Sequence, residues 1–283
     1  MHYFIILVII LIILLVVFYI RVRDTQYMFP CSKCGVLDPQ NIEKGLEVMR
    51  NSRVVFAGIS RDNYQNLPIA MIEKTGVLFK DYRVVVFEND SKDGTKERLK
   101  KWSEDNDKVK ILTQDFHNKK RPSISFMAQC RNYYIEEIEK SYSDYDYVIV
   151  LDMDMNGWDI DGIAQSLAFN NWDAIAANGI KPDGRMYDAF AFRSKEFPEN
   201  KSNPYYWTSI IPKIQKHYCN GNDLVEVDSA FGGLCIYKTS SIKNVRYNSI
   251  DDDCEHILFH QRIKYNGGKI YMNPSLVAYY IVE

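Results

Sequence analysis

Two carboxylates one residue apart, Asp152 and Asp154, close the hydrophobic run Val148-Ile-Val-Leu-Asp-Met-Asp-Met155. A short uncharged run rich in β-branched residues reads as a buried strand, which puts both acids at its C-terminal end. Side chains alternate along an extended chain, so the two acids share a side. A carboxylate pair placed this way can hold a hard divalent cation, Mn²⁺ or Mg²⁺, that clamps phosphate oxygens and neutralises a leaving pyrophosphate. Asp154 is the first choice of ligand, with Asp152 beside it on the metal or on a ribose. Acidic doublets at strand ends also serve as turns and caps, so the assignment depends on what else collects at that edge.

A second acidic group lies late in the chain, in Asp251-Asp-Asp-Cys-Glu-His256. His256 and His260 fall four residues apart, on one face of a helix expected over 251–265. His256, beside Asp253 and Glu255, is expected as a further metal ligand, while His260, near Phe259 and Ile263, is expected to face the core. Asp253 and Glu255 are candidate general bases. Capping of the helix explains one acid of the run 251–253 but does not require all of them.

The elements that must position these groups follow a strand, loop and helix rhythm. Arg53–Gly58 reads as a first strand ending in Ile59-Ser-Arg-Asp-Asn63, and a helix follows Pro68. Tyr82–Phe87 runs straight into Glu88-Asn-Asp-Ser-Lys-Asp-Gly-Thr95, after which Leu99 and Trp102 mark another helix. Val109–Leu112 is a third strand, and apolar spacing over 126–140 gives a helix that holds Arg131 and Asn132 beside its buried face. Strands are expected at 173–177, 187–193 and 232–237, and Lys269–Met272 and Asn273-Pro274 are followed by a last strand to Glu283. This order predicts an α/β fold with a mostly parallel central sheet flanked by helices. It also brings Ser60-Arg61-Asp62, the loop 88–95 and the Asp pair to the C-terminal strand edge, where such sheets bind ligands.

The chain has 283 residues, 46% hydrophobic and 25% charged, with net charge -2, which fits one sizeable domain and no bulk attraction to nucleic acid. Tyr3–Ile20 is an uncharged apolar run of 18 residues, about 27 Å as a helix against a bilayer core of about 30 Å. With no basic segment before it and no small-residue cleavage site after it, it reads as an uncleaved transmembrane anchor. The expected organisation is an anchor over 1–22, a stem over 23–50 with a short helix near Ile42–Met49, and a folded domain over 51–283. Arg21 and Arg23 favour a cytosolic domain, whereas the sequon at Asn200 favours the lumenal side. Cys31 and Cys34 form a C-x-x-C that fits a disulfide or half of a zinc site. Cys130, Cys219, Cys235 and Cys254 read as buried small hydrophobes.

The loop Glu88-Asn-Asp-Ser-Lys-Asp-Gly-Thr95, the helix carrying Cys130-Arg131-Asn132 and the Asp-x-Asp strand together resemble the nucleotide-sugar half of GT-A glycosyltransferases, over residues 53–160. A likeness across the rest of the domain, carried by Tyr187-Asp188, Arg193, Gly232-Gly233, Asp253-Cys-Glu-His256 and Gly267-Gly-Lys-Ile-Tyr-Met-Asn-Pro274, is to the capsule-associated α-1,3-mannosyltransferases. Those enzymes have Asn-Asp-Val where this chain has Asp-Met-Asp, and Trp-Asn-Gly where it has Phe231-Gly-Gly233. The resemblance implies a metal-dependent hexosyltransferase that takes a nucleoside-diphosphate sugar, GDP-mannose favoured and a UDP-sugar possible, to a glycan acceptor at a membrane. It implies donor contacts from Ser60, Arg61, Glu88, Asn89, Asp93, Arg131 and Asp152. If the reaction inverts the anomeric centre, Asp253 or Glu255 is the base; if it retains configuration, no base is required and Asp188 faces the sugar. Acceptor contacts are expected from the aromatic-rich excursion 196–232, at Tyr206, Trp207, Gly232 and Gly233, where rings stack on sugars or fill the core. Two rival readings are a nucleotidyltransferase or sugar-nucleotide pyrophosphorylase, whose glycine-rich phosphate loop is missing after the first strand, and an inactive binding protein on the same fold.

Overall fold

The computed structural model describes residues 37–117, 123–182, 184–198 and 223–280, with Ile12, Leu15, Lys213 and Ile214. Apart from Ile12 and Leu15, the apolar run 3–20 lies outside the described residues, as do Cys31, Cys34, Asn200, Tyr205, Tyr206, Trp207 and Cys219. Among the described residues no helix is long and apolar enough to cross a membrane.

The first half of the domain alternates strands and helices. Strands β1 (Arg53–Ser60), β2 (Asp81–Glu88) and β3 (Val109–Thr113) pair in parallel, and β4 (Tyr147–Leu151) joins β1 on its other side, also in parallel. Their crossovers are helices at Ile69–Gly76, Thr95–Asp105 and Ile124–Ser141. The last of these is capped by the Ser123 hydroxyl, which accepts from the Phe126 N–H. β4 alternates cleanly between two cores. Val148 and Val150 pack with Tyr134, Ile135 and Ile138 of the long helix, while Ile149 and Leu151 face the opposite layer.

Beyond β4 the chain adds β5 (Met155–Trp158), a helix at Ile160–Ala168, β6 (Ala174–Ile180), β7 (Val225–Glu226), β8 (Leu234–Lys238), a helix at Glu255–Tyr265 and β9 (Ile270–Tyr280). The sheet order is β3-β2-β1-β4-β8-β6-β9-β5, with β7 on β9. β8 runs antiparallel to both β4 and β6, and β5 and β7 run antiparallel to β9. The expectation of a mostly parallel sheet therefore holds for the first half only, and the whole is mixed. Parallel pairing needs a crossover of a dozen or more residues; in the second half β6 and β9 alone pair in parallel among the described strands, while β8 lies antiparallel between β4 and β6. The strand expected over 187–193 is a loop with a short 3-10 turn at Ala189–Ala191, and Asp188 before it takes the left-handed conformation, φ 55.

The stem helix is part of the domain. It spans Pro39–Asn51, with Asp38 capping it and Pro39 in its first turn. Ile42, Leu46 and Met49 join the core that holds Ile163, Ala164 and Leu167 of the Ile160–Ala168 helix. The two backbones touch at Gly45, where a Cβ would lie 1.7 Å from the Ala164 carbonyl oxygen. The Asp38 N–H donates to Gln165 Oε1 at 2.7 Å across the same interface. The folded unit thus begins upstream of the boundary expected at residue 51. Compared with a chain starting at Leu37, one starting at Asn51 is expected to lose about 3–6 kcal/mol, since two or more large apolar side chains return to water at about 1.5–3 kcal/mol each. Equal melting temperatures for the two would return the helix to the stem.

Candidate active site

A cavity of about 560 Å³ opens at the C-terminal ends of β1, β2 and β4. It is floored by the turn that ends β4. Leu151 is the last strand residue, and Asp152-Met153-Asp154 then reverses the chain so that Met153 enters the core while both acids line the cavity. The turn is held by backbone contacts: the Asp152 N–H donates to Gly233 O at 3.0 Å, and Asn63 Nδ2 donates to Met153 O. The shared side expected for the pair is kept although the strand itself stops earlier.

One buried cation organises the inner wall. Arg131 Nε donates to Glu255 Oε1 at 2.8 Å and Nη2 to Asp152 Oδ1 at 3.3 Å, with the guanidinium carbon 5.4 Å from the Phe231 ring centre and 5.7 Å from that of Tyr247. Asn132 fixes Tyr247 in that role, donating to its carbonyl at 3.0 Å and accepting from its N–H at 2.8 Å. The other Asp152 oxygen accepts from Tyr187 OH at 2.9 Å, and the Tyr187 ring stacks on Tyr280 with centroids 4.1 Å apart. Burial raises the Asp152 carboxyl above the usual carboxylate range, with Arg131 opposing. Burial, then the charges of Asp152 and Glu255, raise the Asp188 carboxyl well above the usual carboxylate range, with Arg131 opposing. His256 is driven well below the ordinary histidine value by burial and then by Arg131, and is a neutral imidazole.

The expected site residues divide into those that reach the cavity and those that do not. Ser60, Arg61, Asn89, Arg131, Asp152, Asp154, Asp188, Glu255 and His256 all line it. Glu88 lies wholly buried at the end of β2, off the cavity wall, where Oε1 accepts from the Ser91 N–H at 3.0 Å. Asp93 is a structural staple: its carboxylate accepts from the Thr95 N–H and hydroxyl and from the Tyr64 N–H. Asp253 is paired with Arg193 at 2.8 Å and also accepts from the Cys254 N–H, outside the cavity, so it is no base for a substrate there. Gly232 and Gly233 form a tight turn with positive φ, and a Cβ on Gly232 would lie 2.2 Å from Ala177 O. Their conformation serves backbone packing, and neither lines the cavity. Tyr206 and Trp207 lie outside the described residues. His260 is a core residue as expected, its two ring nitrogens bonded to Ser229 Oγ at 2.9 Å and Tyr237 OH at 2.8 Å. Sequence reasoning gave no role to Tyr187, Phe231 or Tyr280; only Tyr187 carried a signal, as the neighbour of Asp188.

Among the described residues no three His, Cys, Asp or Glu side chains gather into a metal cage. A cation shared with a pyrophosphate needs only one or two protein carboxylates, because phosphate oxygens and water complete its shell. Asp154, half-buried on the cavity wall beside Asp152, fits that sparse donor set. His256 is not gathered with it. Its ring stacks on Phe231 with centroids 3.8 Å apart, and its Nε2 sits 3.7 Å from Glu255 Oε1.

A sequence model of the family described as Cryptococcal mannosyltransferase 1 matches residues 68–261. Among solved structures, the mannosyltransferase PcManGT from Pyrobaculum calidifontis, in complex with GDP-Man and Mn²⁺, is 13% identical with a TM-score of 0.52, over 93% of this chain and 63% of that one. TarS of S. aureus is 14% identical at a TM-score of 0.53, over 81% of this chain and 37% of its own. GalNAc-T7 with UDP, GalNAc and Mn²⁺ is 12% identical at a TM-score of 0.50, over 89% and 55%. At such identities these likenesses establish the fold, GT-A, and the chain spans less than two thirds of each of those proteins. No curated protein sequence matches the chain.

Proposed function

The chain belongs to the Cryptococcal mannosyltransferase 1 family and is a glycosyltransferase, and we propose that it moves a hexose, mannose favoured, from a nucleoside-diphosphate sugar to a glycan acceptor. The observation that carries this is the Asp152-Met153-Asp154 turn, which sets two acids between a strand-edge pocket at Ser60 and Asn89 and an inner wall of buried polar groups. A donor of three parts fits those three regions in order. The nucleoside lies at Ser60 and Asn89, the pyrophosphate at Asp154, and the sugar beyond Asp152. GDP-mannose is the first choice of donor and a UDP-sugar the second.

In this reading Asp154 holds a divalent cation, Mn²⁺ or Mg²⁺, whose chemistry is to neutralise the charge that develops on the leaving pyrophosphate. Asp152, already hydrogen-bonded to Arg131 and Tyr187, borders the sugar end of the pyrophosphate instead of supplying a second metal ligand. Glu255 and Asp188 are the acids at the inner wall. Glu255 is engaged by Arg131 at 2.8 Å and so is not free to approach an acceptor hydroxyl. That favours transfer in which the leaving phosphate takes the acceptor's proton. Acceptor recognition is assigned to the segment 196–232 with Tyr206 and Trp207. The apolar run 3–20 is assigned as a single membrane anchor, on its length and lack of charge.

The test is a thermal-shift screen of the chain with Mn²⁺ against GDP-mannose, UDP-glucose, UDP-galactose and UDP-N-acetylglucosamine. A ligand that binds only the folded state at about a hundred times its Kd adds about 2.7 kcal/mol, here roughly 5–10 °C in Tm. GDP-mannose is expected to give the largest shift, and a larger one with Mn²⁺ than without. No shift from any of the four would refute the donor reading.

A further inference from the structure

The last strand reaches the acid pair from two directions. Asp152-Met153-Asp154 leads straight into β5, whose first residue, Met155, pairs with Tyr280 of β9. The Tyr280 ring lies on the Tyr187 ring with centroids 4.1 Å apart and planes 10° apart. The Tyr187 hydroxyl then donates back to Asp152 Oδ2 at 2.9 Å. The chain thus closes a circuit from the turn through Met155, Tyr280 and Tyr187 back to the turn. Tyr187 is fixed within it. Its N–H donates to Gly179 O at 2.8 Å, and a Cβ on Gly233 would lie 3.1 Å from its Cε1 and 2.5 Å from Met155 Sδ, so that glycine makes room for both.

What the circuit does follows from the charge it controls. Both oxygens of Asp152 are engaged: Oδ1 accepts from Arg131 Nη2 at 3.3 Å, and Oδ2 accepts from Tyr187. Without the phenol, Oδ2 would be a bare anionic acceptor beside the pyrophosphate, where it would repel phosphate oxygens and compete with Asp154 for the cation. A hydrogen bond to a carboxylate is among the strong ones, and it also fixes the rotation of the group that accepts it. Tyr280 lines the cavity as well, and its face holds the plane of the Tyr187 ring.

We propose that Tyr187 and Tyr280 are a positioning pair that masks and orients Asp152, so that a metal-bound diphosphate can lie beside that acid. The proposal rests on the donor reading above. In it Tyr280 acts through Tyr187, and neither ring recognises a base or a sugar.

The test is isothermal titration of the full chain with GDP in Mn²⁺. Tyr187→Phe is expected to weaken GDP binding by about tenfold, the effect of one hydrogen bond to a charged group. Tyr280→Leu is expected to do the same in part, and Tyr280→Phe, which keeps the stack, to bind as wild type does. Asp152→Asn is expected to bind GDP no more weakly than wild type, and Tyr187→Phe placed on Asp152→Asn to have no further effect, because no charge is left to mask. A structural role for Tyr187 would persist in that background, so a tenfold loss there overturns the proposal. An unchanged Kd in Tyr187→Phe or in Tyr280→Leu overturns it too, as do equal losses in Tyr280→Phe and Tyr280→Leu, which would put the Tyr280 hydroxyl on the donor. Loss of GDP binding in Asp152→Asn would make that acid a metal ligand and end the masking role. Should wild type bind no GDP, the donor reading itself falls, and that result is distinct from all of these.

Discussion

Asp154→Ala is expected to lower the transfer rate by at least about a thousandfold while leaving the melting temperature without metal nearly unchanged. A cation at a leaving pyrophosphate supplies several kcal/mol of charge stabilisation, and about 4 kcal/mol is a factor of about a thousand. The turn 152–154 is expected to keep its place, because it is held through backbone contacts to Gly233 and Asn63 and through Met153 in the core. Asp152→Ala gives the contrast. It removes the acceptor for both Arg131 and Tyr187, so it is expected to cost stability as well as transfer. Donor titration and turnover with and without Mn²⁺ separate the two. Full turnover of wild type in excess EDTA would sink the metal assignment, and a large loss of metal-free stability in Asp154→Ala would make that acid structural.

Most of the first half of the fold was legible because its signals are local. The β-branched runs at 53–58, 82–87 and 148–151 are buried on both faces, and the polar loops after them lie at the edge that holds the cavity. The second half was less so. The antiparallel placement of β8 depends on pairing across a long excursion, and nothing in Leu234–Lys238 itself records which way it will run. The loop at 187–193 has the hydrophobicity of a strand, but the left-handed Asp188 breaks it. At the site, acids were legible as acids, yet their roles depended on partners distant in sequence. Asp253 looked like a base until Arg193 is seen to hold it, and Asp93 looked like a donor contact until Thr95 and Tyr64 are seen to occupy it. Phe231, which aligns both His256 and Arg131, carries no pattern a sequence shows.

Arg131→Met is expected to destabilise the chain by about 3–5 kcal/mol, the cost of leaving buried carboxylates without their cation. The arginine is 4% exposed and stands between Glu255 and Asp152, and its charge is answered before any donor arrives. That differs from an arginine reserved for donor phosphate, as the resemblance implied, and the two roles give different numbers. A phosphate ligand replaced by methionine would weaken nucleotide binding with little change in Tm, since it would relieve the cost of holding an unpaired charge. An organising cation replaced by methionine lowers Tm first, and adding Glu255→Gln to it is expected to restore a large part of the loss, because the double change removes the stranded acid along with its partner. Arg131→Lys is expected to fall between the two, as one ammonium lacks the fork that reaches Glu255 and Asp152 together. Denaturant unfolding of the three variants decides the matter: no recovery in the double variant, with a raised nucleotide Kd in Arg131→Met at unchanged stability, would return the arginine to the donor.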